Sequence, residues 1–174
     1  MSRILMLFAL LASFALTACG SDDDDNKGKG GAVAGQTADL TDYSLCRGET
    51  PAGLEITSNS WTTSQIENGI RFDSIVNFSQ NEITVAATCF FEGMETTVTA
   101  RAPVNINQTT VEILGEDSAN DKIVTTKGDL SCRVDIEKAT ASFAFQGPCL
   151  VLTMGGETST LPPAQAAFLG NDGF

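Results

Sequence analysis

The chain has no histidine. That excludes Ser-His-Asp and Cys-His catalysis and every histidine-ligated metal site. It has one tryptophan, one tyrosine and five prolines, and 10 basic residues stand against 22 acidic ones. The formal charge of −12 repels phosphate backbones, which argues against nucleic acid as a partner. The same charge gives no attraction to an anionic bilayer surface. No Cys-x-x-Cys spacing occurs, and no Gly-rich phosphate loop leads from a strand into a helix. No metal site and no cofactor is therefore expected. Beyond the first nineteen residues there is no long apolar run and no convincing period of 3.6 until the last dozen residues.

What is present begins at the N-terminus. Arg3 precedes an apolar run from Ile4 to Leu16, too short to span a bilayer but fitting a secretory signal peptide. The run ends in Leu16-Thr17-Ala18-Cys19. This resembles the lipobox of bacterial lipoproteins, an aliphatic residue and two small residues before cysteine. The resemblance implies a diacylglycerol thioether on Cys19, cleavage before Cys19 and acylation of the new N-terminus. Several acyl chains then anchor the protein stably, at about 0.8 kcal/mol per buried methylene. Gly20 follows the cysteine, and the absence of aspartate there implies the outer membrane of a Gram-negative envelope rather than the inner one.

Four further cysteines remain, Cys46, Cys89, Cys132 and Cys149. An exported chain meets an oxidising compartment, so an even count reads as two disulfides. Three pairings are possible. Proximity along the chain favours Cys46–Cys89 with Cys132–Cys149.

The organisation follows from composition. Residues 1–18 read as signal peptide. Residues 19–40 read as a lipidated, flexible linker, with the self-repelling block Asp22–Asp25 and then Lys27-Gly28-Lys29-Gly30-Gly31. Residues 41–158 read as one β domain. Residues 159–174 read as a tail with a short helix from Pro162 to Leu169, opened by prolines and followed by Gly170.

Within the domain, apolar residues recur with period two. Leu54 and Ile56 alternate with polar neighbours, and Trp61 falls out of phase, which suggests a bulge near Asn59. Asn68-Gly69 signals a hairpin turn. Ile70, Phe72, Ser74, Val76 and Phe78 then share a face, as do Ile83, Val85, Ala87, Cys89 and Phe91 after Gln80-Asn81. Met94 to Ala102 alternate after Glu92-Gly93. Pro103 marks a strand end or an edge. Val104 to Leu114 give two short pieces, and 115–121 reads as a polar loop. Ile123 to Thr126, Leu130 to Ile136, Ala141 to Phe145 and Cys149 to Met154 complete about eight strands.

Short connections favour an antiparallel meander, and one apolar face per strand fits a small all-β barrel or sandwich, the barrel preferred. Paired cysteines and hairpin-linked strands behind a lipoprotein leader resemble the lipocalin-like envelope lipoproteins. The covered stretch is about Tyr43 to Met154. The Gly-x-Trp element of lipocalins is missing, because Asn59-Ser60 precede Trp61. The resemblance implies a barrel architecture and no more. The interior of an eight-stranded barrel is either filled by side chains or holds one small ligand, and in the second case Phe72, Val76, Phe78, Val85, Val98, Val134, Phe143 and Phe145 would line the cavity.

The expectation is therefore a non-enzymatic, membrane-anchored envelope protein. Its β domain takes a small apolar molecule or an envelope protein partner. The alternative is a structural or inhibitory protein with a packed core. An enzyme would have to work through carboxylates alone, and Glu55, Glu67, Asp73, Glu82, Glu92, Glu95, Glu112, Glu116 and Asp117 read mostly as solvated. Ca²⁺ at Glu116, Asp117 and Asp121 lacks the EF-hand spacing.

Overall fold

A computed structural model describes residues 38–67, 69–125 and 128–164. The leader, Cys19, the linker up to residue 37, Asn68, Lys127 and the helix candidate from residue 165 onward lie outside them.

The described chain is nearly all β, with no α-helix among the described residues. Its strands are β1 (Ala38–Asp39), β2 (Ser60–Glu67), β3 (Ile70–Phe78), β4 (Glu82–Phe91), β5 (Met94–Ile106), β6 (Thr110–Ile113), β7 (Asp117–Thr125), β8 (Gly128–Ile136), β9 (Ala139–Gln146), β10 (Cys149–Met154) and β11 (Glu157–Leu161). Eight of them, β2 to β6 and β9 to β11, form one antiparallel sheet. The sheet curls until its two edges meet. Thr62 N donates to Pro162 O at 2.9 Å and Ala164 N to Ser60 O at 2.7 Å, with Pro163 opposite Trp61. The result is a nearly closed barrel.

The alternation seen in the sequence explains which face turns inward. Trp61, Phe72, Val76, Ile83, Val85, Ala100 and Leu150 are all essentially buried and belong to one apolar cluster. Each large apolar side chain so buried contributes about 1.5–3 kcal/mol.

The barrel walls are unequal. β5 has 13 residues, whereas β6 has 4 and β11 has 5. β6 pairs only with the last three residues of β5, Val104 to Ile106. The first part of β5 is therefore left without β6. The hairpin β7–β8 packs there, against β4 and β5, as a second layer. Ala87 and Ala100 keep that inner surface low enough for Cys132 and Val134 to join the core. The fold thus combines a barrel at one end with a two-layer sandwich at the other.

Several expectations need correction. The polar loop at 115–121 is in fact largely strand β7. Its alternation is of small and polar residues, so it carried no hydrophobic signal. Side chains hold it to β5 instead: Asp117 Oδ2 accepts from Arg101 N at 2.8 Å, and Asp121 Oδ2 from Thr96 Oγ1 at 2.7 Å. Pro103 does not end a strand, because β5 runs through it. Its carbonyl accepts from Leu114 N, so its missing donor also faces β6, where that ladder begins and a lost rung costs least. Leu54 and Ile56 lie in turns, not in a strand. The tail from 159 begins inside β11, and Pro162 to Ala164 lie along β2 rather than opening a helix. The last linker residues, Ala38 and Asp39, form β1 on β2.

The disulfides exist but not as neighbours along the chain. Cys46 pairs with Cys149 and Cys89 with Cys132. Loop-closure entropy rises only slowly with length, so sequence proximity is a weak guide to pairing. Here topology decides. Cys89 faces inward on β4 and β8 crosses it, while the short 3-10 turn Tyr43–Cys46 runs beside the β9–β10 turn.

Gly147 shows how tight that second junction is. It has φ of +57°, and a Cβ there would lie 2.8 Å from the Cys46 carbonyl oxygen. Gly147→Ala should therefore destabilise the fold by about 1–3 kcal/mol. Urea denaturation measures this, and a midpoint equal to the parent's would contradict the close approach.

Candidate functional site

The interior was expected to be lined by eight apolar residues. Phe72, Val76, Phe78, Val85, Val98 and Val134 are all buried within the single core cluster. Phe143 and Phe145 face the same way but remain partly exposed, packed against that cluster. Phe145 meets Trp61 at 5.9 Å between ring centres, and Phe143 meets Phe145 edge-on at 6.1 Å. Trp61 is wholly buried and its indole Nε1 donates to Ile56 O at 2.9 Å. The aromatic row therefore fills the closed end of the barrel, and Ile56 lies beneath it in the same core.

The polar part of the inner wall lies elsewhere, along β2. Ser64 shares its face with Asp73, and that face is the outer one, because Phe72 and Val76 are core. Thr63, Gln65 and Glu67 consequently face inward, following Trp61. Register places Thr63 beside Ser74 and Gln65 beside Phe72. On the opposite wall, Leu161 and Leu150 pair in the core, so Ser159 and Glu157 also face inward, beside Leu152 and Met154. Thr63, Gln65, Glu67, Ser74 and Ser159 all stay partly exposed. They form a polar stripe on the inside wall, with Phe143 next to Leu152 on its apolar side. Burying such groups without partners costs free energy, so a polar inner stripe is tolerated only where water or a ligand reaches it.

Sequence reasoning missed this stripe. Its signal was an inverted pattern, Thr-Thr-Ser-Gln-Ile-Glu after Trp61, in which the single aliphatic residue, Ile66, sits on the outer face.

Ion pairs on the outer faces include Arg71–Asp73 and Arg133–Asp135. Arg71 grips Asp73 with Nε on Oδ1 at 2.9 Å and Nη2 on Oδ2 at 2.7 Å, Ser64 Oγ donates to the same carboxylate, and the guanidinium lies 5.3 Å from the centre of Phe90. Phe90 is thus half covered by Arg71 rather than offered as a bare contact. Arg133 places both nitrogens on Oδ1 of Asp135 and leaves Oδ2 buried without a hydrogen bond. Both pairs join residues i and i+2 of one strand, a structural use of charge.

On the barrel strands, alternation turns only Glu67 and Glu157 toward the interior; Glu82, Glu95 and Glu112 share the outer faces. Among the described residues no group of three metal-ligating side chains occurs, and Asp117 and Asp121 are engaged with β5. The Thr96 hydroxyl and Lys122 N hold the Asp121 carboxyl below its usual range.

Near the N-terminal end, Tyr43 donates its phenol to Asp39 Oδ2 at 2.6 Å. Partial burial, then that bond and the charge of Asp39, push its pKa up to about 12. A folded pKa above the unfolded value of 10 means that the contribution to stability is complete below pH 10. It is lost as pH rises through 12. Tyr43 is the sole tyrosine, so absorbance at 295 nm reads it alone. The midpoint should lie near 12 and fall in Asp39→Asn, while staying above 10 because burial persists. A midpoint of 10 in the parent would refute this environment.

Comparison with known proteins adds no family: no family model matches the chain, and no curated protein or solved structure matches it.

Proposed function

We propose that the protein is a lipid-anchored envelope binding protein, held by acyl chains on Cys19, whose barrel takes one small amphipathic molecule without transforming it. The observation that carries the ligand reading is the inner stripe of Thr63, Gln65, Glu67, Ser74 and Ser159, partly exposed inside an otherwise apolar, buried wall. Pockets for small ligands combine apolar lining with a few convergent polar groups. Here Phe143 and Met154 would meet the apolar part of the ligand and the stripe its polar part. The buried positions expected as lining act as the floor rather than the wall.

The anchor rests on the leader, Leu16-Thr17-Ala18-Cys19 with its apolar run. Mass spectrometry of the mature N-terminus tests it: an unacylated Cys19 would remove it. The ligand reading is tested with N-phenyl-1-naphthylamine, a neutral amphipathic fluorophore. The expected result is saturable enhancement near one site per chain, strongly weakened by Ser159→Phe in a protein of unchanged circular dichroism. Non-saturable enhancement, or no effect of the substitution, would sink it.

The second reading is a protein-binding or inhibitory envelope protein with a filled core. It is favoured by the burial of six expected lining residues in one cluster. Absence of saturable probe binding would favour it.

A further inference from the structure

The outer edge of β2 is shared by two segments. At its start, Ser60 to Thr62 pair with Pro162 to Ala164, in a register that sets Trp61 opposite Pro163. At its end, Gln65 and Ile66 pair with Asp39 and Ala38 of β1. Between them Ser64 O accepts from Leu40 N at 2.7 Å, and Ser64 N donates to Thr41 Oγ1 at 3.1 Å.

Continuing the first register upward along β2 gives a definite result. Thr160 would stand opposite Ser64 and Thr158 opposite Ile66. These are the positions that β1 takes. The faces agree as well, since Thr63 and Leu161 both point inward under that register. Pro162 O and Ala164 N turn toward β2. By the alternation of an antiparallel ladder, the backbone groups of Thr158 and Thr160 turn the same way. The two pairings are mutually exclusive and use the same groups of Ser64 and Ile66.

We propose that β1 is a displaceable wedge that holds the barrel seam open, and that β11 zips onto β2 when β1 leaves. Three features favour exchange over simple loss. β1 is two residues long and its Asp39 is exposed, so it is cheap to remove. Pro162 offers no N–H to Thr62, so β11 and β2 are weakest where they now part. Beyond Thr158 the next rung would set Glu67 against Glu157, a like-charge pair that stops the zipper there. Zipping brings Ser159 beside Gln65 and narrows the opening to the polar stripe. The chain before Ala38 leads straight into β1, so whatever holds that stretch biases the seam. The inference concerns backbone pairing and stands whether or not a ligand binds.

The experiment is amide hydrogen exchange on the full chain, parent against Leu40→Pro/Thr41→Val. The double variant removes two donors to Ser64 O, the Leu40 N–H and the Thr41 hydroxyl, and with that hydroxyl the acceptor of Ser64 N; Leu40 is exposed, so little packing is lost. The expected result is that Thr158 and Thr160 amides exchange about tenfold more slowly while Ser64 stays protected. Adding Thr160→Pro should then expose the Ser64 amide. Faster exchange at Ser64 with Thr158 and Thr160 unchanged would overturn the proposal. So would global unfolding of the double variant, because a displaceable strand cannot be required for the fold.

Discussion

Replacing Cys46 and Cys149 together by alanine should cost about 4–5 kcal/mol, the loop-closure value for a bridge spanning on the order of 100 residues. The two residues are 103 apart in the sequence, so this bridge ties one end of the domain to the other. Without it the unfolded chain regains most of its freedom. The native state also loses the clamp that holds the segment before β2 against the β9–β10 turn. Cys89 and Cys132, 43 apart, close a shorter loop, and the same reasoning gives a smaller loss, about 4 kcal/mol. Urea denaturation of both double variants, each analysed with its own m-value because the unbridged unfolded chain exposes more surface, measures the difference. If the 46–149 variant were no less stable than the parent, the bridge would be ornamental.

Trp61→Ala should be nearly as damaging, about 3–5 kcal/mol. Trp61 is fully buried, fills the closed end of the barrel against Phe145, and satisfies Ile56 O with its indole N–H. Alanine removes the packing and orphans that carbonyl. Trp61→Phe separates the two effects: it keeps much of the volume and loses the hydrogen bond, for about 1–2 kcal/mol. Far-ultraviolet circular dichroism is the readout, since the substitution removes the only tryptophan. Equal losses in both variants would show that the hydrogen bond, not the volume, is what Trp61 supplies.

The barrel itself was legible because β3, β4 and β5 alternate cleanly. A strand with one buried face writes its register into every second residue. Turn chemistry was legible for a similar local reason: Gly69 and Gly93 sit at the positive φ their hairpins need. What escaped has a common cause. The first half of β7 is polar and is attached through the Asp117 and Asp121 side chains, so hydrophobic periodicity showed only its end, from Ile123. β1 is too short to show a period at all. Thr63, Gln65 and Glu67 of the candidate site read as an unremarkable polar run, since their inward orientation depends on Trp61 setting the phase and on Phe72 being core. The disulfide pairing depends on which strands cross in space, which local sequence does not encode.

The nested arrangement of the bridges has a consequence for how the protein is made. Cys46–Cys149 encloses Cys89–Cys132. If the chain is exported N-terminal end first, as the proposed function requires, Cys46 and Cys89 meet oxidant before either native partner has arrived. Cys46 must then stay a thiol, or surrender a wrong partner by exchange, until the last strands emerge. On that route maturation would end, rather than begin, with the first of the four bridge cysteines, and its yield would depend on disulfide reshuffling as much as on the barrel's own stability.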